Sequence, residues 1–90
     1  MKPKPLTSGQ IRAARTLLRW RAEDLARECA VGVATIRRAE LAEDDTSMTA
    51  ANDLSVRRAL EAAGVEFIDE NGGGPGVRLR QRRRLKTLKK

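Results

Sequence analysis

Apolar positions recur at helical spacing through most of the chain, then switch to a two-residue alternation near its end. Ile11, Ala14, Leu17 and Leu18 mark one face of a first helix. It opens at Thr7-Ser8-Gly9-Gln10, where the Thr7 hydroxyl and the Gln10 amide form a capping box, and it runs to about Arg19. The spacing predicts a shorter second helix over 22–29, with Leu25 and Ala26 inward and Glu23 and Asp24 at the positive end of its dipole. Ala30-Val31-Gly32 forms a turn. A third helix over 33–41 follows, anchored by Ile36 with Ala39 or Glu40 beside it, and Gly32 is its N-cap. Residues 41–47 are acidic and polar and read as a loop.

Thr49 caps a fourth helix whose stripe is Val56, Ala59, Leu60 and Ala63, and Gly64 ends it. Beyond Gly64 the pattern becomes β-like. Residues 65–69 (VEFID) are extended, 71–76 (NGGGPG) are a turn, and 77–80 (VRLR) alternate apolar and basic. The fold class expected is mainly α: four helices followed by a C-terminal β-hairpin. Residues 1–6, with two prolines and two lysines, read as a flexible arm. Residues 7–64 then form the helical domain, 65–80 the hairpin, and 81–90 a basic tail.

Charge adds a partner to this picture. The net charge is +7, and eight of the nineteen basic side chains lie in residues 78–90, which hold no acid. The remaining eleven basic and twelve acidic side chains nearly cancel. A basic tail on a near-neutral body suits a polyanion, because Lys and Arg release counterions from phosphates. A solvated tail that aids solubility is the plainer alternative. Trp20, as a large aromatic after a helix end, is expected to pack into the core.

Absences bound the chemistry. The chain holds no His and no Tyr, and Cys29 is the single cysteine. The usual zinc sets and the Ser-His-Asp or Cys-His nucleophile arrangements cannot be assembled. The Gly72-Gly73-Gly74 run does not lie between a strand and a helix, so it is no phosphate-binding loop. The expectation is a protein that is not an enzyme and needs no cofactor or metal. Cys29 suits a reducing compartment, and no run is long enough for a signal peptide or membrane span, so a cytoplasmic protein is expected.

Two short helices joined by a tight turn suit a helix-turn-helix, whose second helix fits the major groove. The stretch "RTLLRWRAEDLARECAVGVATIRRAE" resembles the DNA-binding core of the phage-repressor-like (XRE, Cro/repressor) transcriptional regulators. The residues that carry the likeness are Ile11, Ala14, Arg15, Leu25, Ala26, Val31, Thr35, Ile36 and Glu40. With "LEAAGVEF" (60–67) added, it is similar to short bacterial members that end in a hairpin, over about Leu6–Arg80. Three positions depart from the family: Ala22 stands where Gln often contacts a phosphate, Ala30 where Gly is common, and Gly32 where Ser often caps.

The resemblance implies a sequence-specific regulator of double-stranded DNA, a repressor acting as a homodimer on a palindrome. It implies base contacts from Val33, Ala34 and Arg38. Arg37, beside them, reaches either a base or a phosphate, and the plainer alternative for Arg37 and Arg38 is a solvated helix face that pairs with Glu40 or Glu43. An Arg in the groove can grip guanine O6 and N7. Arg21 and Thr35 are candidate phosphate contacts, and Arg82, Arg83, Arg84 and Lys86 candidate tail contacts. Glu40 implies a structural pair with Arg15. Val65, Phe67, Ile68, Val77 and Leu79 are expected to join two chains through their hairpins, spacing two recognition helices about 34 Å apart. The alternative is a hairpin folded back on its own helices in a monomer. Three other functions compete: an antitoxin that also binds a toxin protein, a nucleic-acid binder that ignores sequence, and a protein-interaction module that binds no DNA.

Overall fold

In the computed structural model the described residues are 4–43 and 45–81. Thr7 starts α1 (Ser8–Leu18): its Oγ1 accepts from the Gln10 N–H at 3.1 Å, and Gln10 Oε1 accepts from the Thr7 N–H at 3.0 Å. Arg19 stops the helix in the left-handed conformation, with φ 60° and ψ 34°. After this corner come α2 (Ala22–Cys29), a turn, α3 (Val33–Leu41), and α4 (Ala50–Ala62). Thr49 caps α4 by accepting from the Asn52 N–H at 3.1 Å, and Gly64, at φ 112°, turns the chain out of it. β1 (Val65–Ile68) and β2 (Gly76–Leu79) then pair antiparallel, with Val65 opposite Leu79 and Phe67 opposite Val77. No helix among the described residues is long and apolar enough to cross a membrane.

One core draws on every segment. Leu6, Ile11, Leu25, Ile36, Val56, Leu60 and Val65 are all fully enclosed. Leu17 departs from its expected stripe and is 38% exposed. At about 100° per residue it lies about 120° around α1 from Ile11, whereas Leu18 returns to within about 20°. Ser8 and Gln10 are buried instead, and their polar atoms find partners. Ser8 Oγ donates to the Ala42 carbonyl at 2.8 Å. Cys29 is buried and free, and burial pushes its thiol pKa up, as befits a packing residue. Trp20 is half-buried against the core.

The N-terminal segment corrects the expected arm at residues 4–6. Leu6 is 1% exposed, a burial that favours folding by about 1.5–3 kcal/mol. Its N–H donates to Asp53 Oδ1 at 3.0 Å, and Thr7 forms a β-bridge with Asp45. Arg57, on α4, reaches the same segment. It is 8% exposed, its Nη2 donates to the Lys4 carbonyl at 2.8 Å, and its guanidinium lies 5.1 Å from the Phe67 ring centroid. One buried cation thus ties the N-terminal segment, α4 and the hairpin together.

The hairpin lays its apolar face on the helices of its own chain. Val65 is fully buried in its own core, and Phe67, Val77 and Leu79 pack half-buried against the same core. Ile68, also half-buried, alternates to the other face, where Glu66 and Arg78 pair at 2.8 Å. Gln10 Nε2 donates to the carbonyls of Ile68 and Gly76 at 3.4 and 3.1 Å, and Arg80 Nη2 to that of Glu61 at 2.8 Å. A lone two-stranded hairpin is marginal in water. Here α1 packs against β2 and α4 against β1.

Candidate functional site

The α2–α3 unit is built around a left-handed residue. Ala30, at φ 58° and ψ 37°, ends α2 and sends its N–H back to the Ala26 carbonyl. Val31 folds inward at 7% exposure, and the Gly32 carbonyl then accepts from the Thr35 and Ile36 N–H groups at 3.0 and 3.1 Å. α3 starts there with no side-chain cap. A Cβ built on Gly32 meets nothing within 4 Å, and its φ of −59° suits any residue. The glycine is therefore not required by the turn.

α3 has two opposite sides. Its inner side is Ile36, Ala39 and Glu40, all buried. Arg15 from α1 grips Glu40 with two bonds, Nε to Oε2 and Nη2 to Oε1, each 2.8 Å, and its Nη1 donates to the Trp20 carbonyl at 3.0 Å. The carboxylate raises the Arg15 pKa further. This clamp ties the inner side of α3 to α1. The outer side is Ala34, Arg37, Arg38 and Leu41, spaced i, i+3, i+4, i+7 and all exposed, with Leu41 at 84%.

The residues singled out from the sequence separate on this frame. Ala34 and Arg38 stand on the outer stripe. Arg38 reaches only Thr35 Oγ1, at a long 3.5 Å, and has no carboxylate partner among the described residues. Val33 is drawn half-way into the core, so less of it remains for an outside contact. Thr35 is half-buried at the first turn, with Oγ1 turned toward Arg38. Arg21 is exposed at the N-cap of α2. Arg82, Arg83, Arg84 and Lys86 lie outside the described residues.

Arg37 does not pair with Glu40 or Glu43. Its Nη2 pairs with Glu23 Oε2 on α2, and the two side chains keep 55% and 48% of their surface open. Glu23 sits in the first turn of α2, where its own backbone N–H lowers its pKa most, followed by the charges of Arg37 and Arg21. The neighbouring Asp24 is held low by the Arg21 N–H, 2.8 Å from its Oδ2, and by Arg27 at 2.9 Å. Both acids of that turn are therefore ionised and engaged. Fourteen residues separate Glu23 from Arg37, and no local spacing rule announces the pair. Exposed Leu41, which completes the outer stripe, could have been read from the same spacing that placed Arg37 and Arg38.

A separate groove of about 790 Å³ lies between residues 5 and 45–48 and α4, lined mainly by Pro5, Met48, Leu54 and Arg57. It shares no residue with α2 or α3. No protein-family model matches the chain, and comparison with curated proteins finds no match either.

Proposed function

We propose that this protein is a sequence-specific double-stranded DNA-binding regulator of the helix-turn-helix type, similar to phage-repressor-like proteins and acting as a repressor. The observation that carries the reading is the two-sided α3. A nine-residue helix is clamped on its inner side by Arg15–Glu40 and leaves Ala34, Arg37 and Arg38 uncovered on its outer side. Such a helix fits the major groove, where its N-terminal half meets base edges. Arg38 is the reader of guanine in this arrangement, and Ala34 suits a thymine methyl. Arg21, at the start of α2, takes a phosphate. The residues of the tail add affinity more than specificity.

Two copies on a palindrome are part of the proposal, their hairpins joined edge to edge in a single sheet. The Arg80 N–H donates to the Gly64 carbonyl at 2.7 Å. By antiparallel alternation, the backbone groups of Val77 and Leu79 then point away from β1, where a partner strand would pair. A molar mass of one chain at micromolar concentration, by light scattering, would remove the dimer. Selection from random duplex DNA, followed by Arg38→Ala on the winning site, tests the function. Loss of preference at one base pair, by about 1–3 kcal/mol, is expected. Binding that ignores sequence and vanishes at moderate salt would replace this reading with a general nucleic-acid binder.

A further inference from the structure

An arginine beside a duplex has two competing destinations. Phosphate oxygens attract it strongly at any sequence, and guanine O6 and N7 hold it only at the right base. Which destination wins depends on what restrains the guanidinium. Arg38 carries no such restraint among the described residues. Arg37 does, because Glu23 reaches across from the preceding helix and holds its Nη2.

The pair is placed to matter. Both side chains are about half open, so DNA can meet them without unfolding anything. Glu23 occupies the first turn of α2, the end of that helix that lies along the phosphates in a helix-turn-helix complex. A carboxylate there repels phosphate and offsets part of the charge that would draw Arg37 to the backbone. It leaves most of the five guanidinium N–H groups free and restricts a flexible side chain to one region.

Accordingly, we infer that Glu23 is a specificity-determining positioning residue, which withholds Arg37 from phosphate and presents it to a guanine in the major groove. This rests on the reading of α3 as the DNA-facing helix. Arg37 is then a second base reader beside Arg38. The acid lowers affinity for arbitrary DNA and raises the contrast between the chosen site and the rest.

The test compares wild type, Glu23→Gln, Glu23→Ala and Arg37→Ala as full chains. Each is titrated against the selected duplex, its single-base variants and a scrambled duplex, over a range of salt. Arg37→Ala should erase discrimination at one base pair, by about tenfold. Both Glu23 variants should bind scrambled DNA more tightly, blur the same base pair, and steepen the salt dependence by about one phosphate contact. Losing the charge of a merely structural surface pair tightens all duplexes alike and leaves discrimination at that base pair unchanged, so the discrimination decides. Glu23 variants with the wild-type discrimination would overturn the assignment, as would an Arg37→Ala variant that keeps full discrimination. A wild-type chain with no preference among duplexes would instead overturn the underlying reading of α3.

Discussion

Replacing Ala30 with glycine is expected to stabilise the protein, although the change removes a methyl group and adds nothing. Ala30 holds φ 58° and ψ 37°, a left-handed conformation in which its Cβ crowds the following carbonyl. That crowding costs roughly 1–2 kcal/mol for a residue other than glycine. The residue is exposed, so deleting its methyl removes little packing. Against the relief stands the greater freedom of glycine in the unfolded chain, about 0.4–1 kcal/mol. The balance is a gain of about 0.5–1 kcal/mol, or about 3–6 °C in Tm for a domain of this size. Ala13→Gly is the control: exposed and in the middle of α1, it should lose about 1 kcal/mol by helix propensity. Paired thermal and urea melts read both. If Ala30→Gly loses as much as Ala13→Gly, the turn stores no strain and the reasoning fails.

Glu40→Ala should destabilise by about 2–3 kcal/mol in urea melts. That is below the full cost of a broken buried pair, because Arg15 keeps 24% of its side chain exposed and partly rehydrates. Acid should weaken the fold through Glu23, Asp24 and Glu66, whose pKa values are all lowered in the native state. Their contribution is complete above the unfolded carboxylate values, about pH 4, and is lost as pH falls through the lower folded values. Asp24→Asn should therefore flatten the acid limb of a stability–pH curve and leave neutral-pH cooperativity intact, and an unchanged limb would assign the acid sensitivity elsewhere. Removing residues 81–90 should flatten the salt dependence of DNA binding while site preference stays, and an unchanged slope would take the tail out of the interface.

Much of the helical frame was legible because its signals are local. The Thr7–Gln10 box, the Thr49 cap, the bounds of α2 and α3 and the stop at Gly64 all depend on residues a few positions apart. The strained Ala30 was legible as a departure from the glycine expected there. The Arg15–Glu40 clamp joins residues 25 apart and came from resemblance rather than from spacing. What escaped is non-local and carries no period. Leu6 is one apolar residue among prolines and lysines, so nothing in its neighbourhood announces burial. Arg57 adjoins Val56 on α4, and only the Lys4 carbonyl, Glu61 and the Phe67 ring make its burial tolerable. The alternation over 65–80 correctly gave a hairpin with one apolar face. A period of two cannot say which surface covers that face, and the helices of the same chain do.

In the proposed function, stability and recognition share one nine-residue helix, with their residues on opposite sides of it. That arrangement lets the two be separated by experiment. Glu40 and Ile36 hold α3 to the body, so their loss should lower stability and, through it, every interaction α3 makes. Arg38 touches no buried group, and Arg38→Ala should leave the urea midpoint where it is. If α3 is the DNA-facing helix, Glu40→Ala binding should recover when conditions restore the folded fraction, because the outer stripe itself is intact. Arg38→Ala binding should not recover under those conditions. A Glu40→Ala protein that is fully folded yet still defective would mean that the clamp sets the angle of the helix as well as its stability. The defect would then appear at several base pairs at once, since a rolled helix misplaces Ala34, Arg37 and Arg38 together.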